Sequence, residues 1–66
     1  MFASLTVQEN LELTFRRSRG RNGVNAGLDE AYTMFPRLGE RRRQQAGTLS
    51  GGEQRMLSLA RVLVER

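Results

Sequence analysis

Two short sequences of one type divide this 66-residue chain, and each predicts the start of a helix. Thr6-Val7-Gln8-Glu9 and Ser50-Gly51-Gly52-Glu53 both fit the capping box. In this motif a Thr or Ser side chain accepts from the third backbone N–H group, and a Glu side chain reaches back to the N–H group of the cap. The two boxes constrain the chain towards a mainly helical fold.

The first predicted helix begins at Thr6. Val7, Leu11 and Phe15 recur at four-residue spacing, as on one helical face, although the range Leu11–Phe15 also alternates as a strand would. The capping box favours the helix. After it, Ser18–Gly27 is rich in turn-forming residues and predicts a mobile connection.

The second predicted helix carries the apolar stripe Leu28, Ala31, Tyr32 and Phe35, spaced i, i+3, i+4 and i+7. Pro36 disfavours helical geometry at the residue before it, so this helix should end at Phe35. For residues 37–48 we expect a short helical turn followed by an exposed loop.

The third predicted helix opens at Ser50 and runs to the end of the chain. Its apolar residues cover an arc of about 160°, wider than the roughly 100° of a one-sided surface helix. They are Met56, Leu57, Leu59, Ala60, Leu63 and Val64. Such a helix needs cover on more than one side, and the pattern is unbroken at Arg66, so we expect further sequence beyond that residue.

The charged residues exclude several kinds of chemistry. All 11 basic residues are Arg, and the chain has no Lys, His or Cys. It therefore lacks a P-loop lysine, a Ser-His or Cys-His nucleophile pair, a zinc site of the usual ligands and a disulfide. We predict no catalytic residue and no metal ligand in it. Two Arg clusters, 16–21 and 41–43, suit either a solvated surface or phosphate backbones.

The glycine pair in the second capping box needs an explanation. Each Gly near the start of a helix costs about 1 kcal/mol relative to Ala. Gly51 and Gly52 could let an anion approach the unpaired backbone N–H groups at the positive end of the helix dipole. They could equally allow close packing in a tight turn, and the spacing alone does not decide between the two.

Residues 49–55, Leu-Ser-Gly-Gly-Glu-Gln-Arg, with the helix that follows them, strongly resemble the signature motif of ABC-type ATPases. Residues 2–11 resemble the stretch after the Q-loop of these ATPases, and residues 35–42 resemble the run before the signature. The resemblance covers nearly the whole chain and points to the ATP-binding subunit of a branched-chain amino acid importer. It implies a helical subdomain of about three helices, residues 1–66, isolated from the sheet core of an α/β P-loop ATPase.

The resemblance also implies a site and its partners. Ser50, Gly51, Gly52, Glu53 and Gln54 would form the nucleotide-binding residues, with Glu53 standing where Gln is commoner. They would contact the γ-phosphate of ATP bound to a second ATP-binding subunit, with Mg²⁺ held by the P-loop part. Membrane-spanning permease subunits would be further partners, which implies a cytoplasmic location on the inner face of the membrane, and no nucleic acid is expected.

The other family motifs are absent, namely Walker A, the Q-loop, Walker B and the switch histidine. We therefore expect a fragment that does not hydrolyse ATP alone. The alternatives are a small Arg-rich nucleic-acid-binding module that uses the two Arg clusters, and a helical interaction domain with no ligand, which leaves Gly51 and Gly52 unexplained.

Overall fold

The computed structural model describes residues 1–65, which form four α-helices and two 3₁₀ turns. The helices are α1 (Val7–Arg19), α2 (Val24–Met34), α3 (Pro36–Glu40) and α4 (Gly51–Glu65). The 3₁₀ turns cover Arg21–Gly23 and Ala46–Thr48. This part of the chain contains no strand, only an isolated antiparallel bridge between Thr6 and Gln45. The predicted mainly helical class is confirmed.

The core lies between α1, α2 and α4, which contact one another in pairs. Each of the three helices buries residues from one face. Their buried apolar side chains are Val7, Leu11 and Phe15 from α1, Val24, Leu28 and Ala31 from α2, and Leu57, Ala60 and Val64 from α4. Leu38 of α3 is also fully buried, so the short helix is anchored to the same core.

Gly27 sets how closely α2 approaches α1. A Cβ atom at this position would lie 2.7 Å from Cδ2 of Phe15. Phe15 is completely buried, so moving its ring aside would disturb the close-packed core. The glycine is therefore needed for the packing of the two helices.

The prediction that Ser18–Gly27 is a mobile connection is wrong over most of this segment. α1 continues to Arg19, and α2 already begins at Val24. Gly20 ends α1 with a φ of +79°, a conformation that glycine adopts easily. Because Val24 and Gly27 are buried against α1, tertiary packing overrides the weak helical preference of this segment.

The other predicted helix boundaries agree more closely with the structure. α1 begins with the predicted box at Thr6, and α2 ends at Met34, one residue before the predicted end. The helical turn expected after Phe35 is α3, which brings the helices to four rather than about three. The loop expected after it is not wholly exposed, because Ala46 is fully buried.

α4 begins as predicted, and Arg66, to which the helix was predicted to run, lies outside the described residues. The wide apolar arc is only partly covered within residues 1–65. Leu57, Ala60 and Val64 are buried, whereas Leu59 is 45% exposed. Val62, beside the arc, is 67% exposed.

We predict that Gly27→Ala lowers the free energy of unfolding by about 1–3 kcal/mol, because the new methyl group overpacks the core against Phe15. Gly52→Ala is the matched control. It meets no heavy atom within 4 Å and should raise the free energy of unfolding by up to about 1 kcal/mol. Urea unfolding followed by circular dichroism measures both. Equal stability of Gly27→Ala and the parent would contradict the packing described here.

Candidate functional site

The predicted capping box at the start of α4 is formed. The backbone N–H group of Ser50 donates to Oε1 of Glu53 at 3.1 Å, and the N–H group of Glu53 donates to Oγ of Ser50 at 3.1 Å. Both termini of this turn are thereby fixed. The residues between them, Gly51 and Gly52, are exposed.

The two capping boxes differ in what happens to the N–H groups between cap and Glu. In α1 the N–H groups of Val7 and Gln8 each donate, at 3.0 Å, to a backbone carbonyl group of residues 42–44. In α4, within residues 1–65, the N–H groups of Gly51 and Gly52 donate to no acceptor. The two N–H groups between cap and Glu are thus hydrogen-bonded within the chain at α1, whereas at α4 they have no partner among residues 1–65.

The glycine pair is not explained by packing inside the described part of the chain. A Cβ atom at Gly51 or Gly52 would meet no heavy atom within 4 Å. Neither residue has a positive φ, so the backbone conformation does not require glycine either. Within residues 1–65, therefore, neither close packing nor backbone conformation accounts for the two glycines.

The two carboxylate oxygens of Glu53 contact different parts of the chain. Oε1 holds the Ser50 turn, and Oε2 lies 3.7 Å from Nε of Arg41 and 3.8 Å from Nη1 of Arg37. The N–H group of Ser50 holds the pKa of the Glu53 carboxyl below its ordinary value of 4.5, against the opposing effect of partial burial. The Ser50 hydroxyl, Arg41 and Arg37 lower this pKa further.

The side chain of Gln54 also makes hydrogen bonds within the chain. Its side-chain amide donates to the carbonyl oxygens of Ala46 at 3.4 Å and Leu49 at 3.3 Å, which fixes the loop before the turn. Of the five predicted site residues, three are therefore exposed on the turn and two have side chains engaged inside the chain. The exposed three are Ser50, Gly51 and Gly52, and the engaged two are Glu53 and Gln54.

Arg37 and Arg41 border the turn and were not among the predicted site residues. Their four-residue spacing directly after Pro36 was a usable signal, because residues i and i+4 share one face of a helix. In the sequence analysis Arg41 falls in a basic cluster that suits either a solvated surface or phosphate backbones, and Arg37 is not singled out. Only the approach of α3 to α4 makes them neighbours of Glu53.

The two Arg clusters are not uniform surfaces. Arg19 donates to the backbone oxygen of Val64 at 2.7 Å and lies over the Phe15 ring at 5.9 Å, so it links α1 to α4. Arg41 faces Glu53. The remaining members are exposed, and three basic residues in the last turn of α1 complement the helix dipole. The nucleic-acid alternative stays a prediction.

Among the helices described, none is both long and apolar enough to span a membrane. No protein-family model matches the chain, and no solved structure matches it.

Curated proteins match the chain, and two of them are named as the same class of protein. Over all 66 residues the chain is similar to ATP-binding proteins of branched-chain amino acid transport, which confirms the predicted resemblance. One relative is the high-affinity branched-chain amino acid transport ATP-binding protein BraG of Pseudomonas aeruginosa. Another, from Archaeoglobus fulgidus, is named "Probable branched-chain amino acid transport ATP-binding protein LivF". Each is 41% identical to the chain, which spans 28% of the length of each.

We predict that Glu53 makes the stability of the chain sensitive to acid. Since its pKa is lowered on folding, its stabilising contribution is complete above the ordinary carboxyl pKa and is lost as the pH falls through the lowered pKa. Glu53→Gln keeps an acceptor for the Ser50 N–H group but does not titrate. Its free energy of unfolding should therefore fall less than that of the parent between neutral and acid pH. Identical pH profiles in urea titrations would contradict the assignment.

Proposed function

We propose that residues 1–66 are the helical subdomain of an ABC transporter ATP-binding protein and that the Ser50–Gly52 turn contacts the γ-phosphate of ATP held by a second ATP-binding subunit. One observation carries the proposal. Within residues 1–65 the N–H groups of Gly51 and Gly52 in the capping box of α4 have no acceptor, whereas the equivalent groups of α1 are hydrogen-bonded within the chain. The relatives support the choice of ligand, because both are named as ATP-binding proteins.

The chemistry of the turn suits a phosphate group. Two free N–H groups at the positive end of a 15-residue helix favour an anion, and the bare glycines let it come within hydrogen-bonding distance. The Ser50 hydroxyl can rotate to donate a third hydrogen bond. Two guanidinium groups and one carboxylate, from Arg37, Arg41 and Glu53, leave one positive charge beside the turn.

Within the proposed site Glu53 and Gln54 hold the turn from inside, through the hydrogen bonds described above. Their side chains are therefore expected to shape the phosphate contact rather than to extend it. The P-loop part of the complete protein would supply Mg²⁺ and the remaining ATP contacts, since the chain has no Lys.

In the complete protein the turn would act as a switch. It binds the γ-phosphate in the closed dimer and loses that partner after hydrolysis, so the two states differ in binding free energy. Residues 1–17 would lie near the permease subunits and transmit the closure, with the ATP-binding protein on the inner face of the membrane. By analogy with the names of the relatives, the imported solutes would be branched-chain amino acids.

We predict that Ser50→Arg and Gly51→Asp abolish transport while P-loop binding of ATP persists. An added charge or bulk at the turn blocks the phosphate contact without touching the P-loop. The test replaces the matching segment of BraG by residues 1–66 and measures uptake of branched-chain amino acids in proteoliposomes. Arg43→Gln changes an exposed residue that makes no ion pair among residues 1–65; it is the control and should transport normally. Normal uptake by the Ser50 and Gly51 variants would exclude the proposed contact.

We also predict that the 66-residue chain alone does not hydrolyse ATP, because it has neither a P-loop lysine nor a switch histidine. Phosphate release is measured on the purified chain, with a mock purification as the control for contaminating ATPases. Turnover that clearly exceeds this control would contradict the prediction.

A further inference from the structure

Glu53, Arg37 and Arg41 form a charged cluster that joins two helices beside the proposed phosphate contact. One carboxylate oxygen of Glu53 accepts from the N–H group of Ser50 at 3.1 Å. The other lies 3.7 Å from Arg41 and 3.8 Å from Arg37. A single side chain thus connects the first turn of α4 to α3.

α3 is well suited to act as the fixed partner in this connection. Its Leu38 is fully buried in the core. The segment that follows α3 is also anchored, because carbonyl groups of residues 42–44 accept hydrogen bonds from the first turn of α1. Arg37 and Arg41 lie one helical turn apart and reach the same carboxylate oxygen.

The other capping box provides an internal reference. Glu9 makes the same two hydrogen bonds with Thr6, at 2.8 and 3.1 Å. In the part of the chain that the structure describes, however, Glu9 has no basic residue within ion-pair distance. Since Gln serves a capping box as well as Glu does, the cap alone does not require a negative charge. Glu53 differs from Glu9 in that its second carboxylate oxygen faces Arg41 and Arg37.

We propose that Glu53 is a positioning residue that ties the Ser50–Gly52 turn to α3 through Arg37 and Arg41, so that α3 sets the direction of the free N–H groups of Gly51 and Gly52. The consequence for ATP rests on the proposed function. A phosphate contact needs N–H groups aimed within a narrow range of distance and angle. A change in the position of α3 would move them out of that range through Glu53.

The test follows the backbone amide resonances of Gly51 and Gly52 in the ¹⁵N-labelled 66-residue chain. Glu53→Gln keeps the cap and removes the charge, and Arg41→Gln removes a partner that does not touch the glycines. We expect both to shift the two glycine resonances by more than a line width. The double variant should shift them no further than Glu53→Gln alone, and Arg41→Lys, which retains the charge, should restore them towards the parent.

Two matched variants serve as controls. Glu9→Gln changes the capping box of α1, and Arg43→Gln removes an exposed charge that makes no ion pair among residues 1–65. Both should leave the Gly51 and Gly52 resonances within a line width of the parent. Unmoved glycine resonances in Glu53→Gln and Arg41→Gln, or equal shifts in the controls, would overturn the positioning role.

Titration with inorganic phosphate, against chloride at equal ionic strength, separates this inference from the proposed function. Glycine resonances that are shifted in Arg41→Gln before phosphate is added, together with a phosphate response in the parent, support both. Parent and Arg41→Gln spectra that coincide, with a phosphate response in each, overturn the positioning role alone. Arg41→Gln spectra that are shifted from those of the parent, without a phosphate response in either protein, support the positioning role and count against the phosphate contact.

Discussion

The first turn of α1 is hydrogen-bonded to the segment that leads into α4, and much of the fold depends on this contact. The first N–H groups of a helix have no partner within the helix. In α1 they donate to the carbonyl groups of residues 42–44, and the nearby N–H group of Ala46 donates to Leu5 at 2.8 Å. The approach to α4 is therefore held against the start of α1, which fixes where the second capping box lies.

The same physical requirement accounts for the difference between the two helix starts. At α1 the chain satisfies its own donors. At α4 those of Gly51 and Gly52 have no acceptor within residues 1–65, while the residues on either side are held by hydrogen bonds. Open donors on a rigid turn favour binding because little conformational entropy remains to be lost. The internal contacts of Glu53 and Gln54 are thus as relevant to the proposed site as the exposed groups.

Several features could be read from the sequence because they depend on local interactions. A capping box joins residues three apart, and Pro36 acts on its immediate neighbour, so both helix starts and the end of α2 were predictable. The segment around Val24 and Gly27 was not, because its helix is stabilised by contact with Phe15, a residue from another element. Its local composition indicates a turn, and the buried contact outweighs that preference.

The sequence by itself determined the helical class, the two capping boxes and the resemblance of Leu49–Arg55 to a signature motif, since all of these lie in short contiguous patterns. Only the tertiary structure decided that the two glycines have no packing role within residues 1–65, and that Glu53 faces Arg37 and Arg41. The reason is physical. An empty space around a backbone and an ion pair between two helices depend on how distant segments pack, and no local pattern encodes that arrangement.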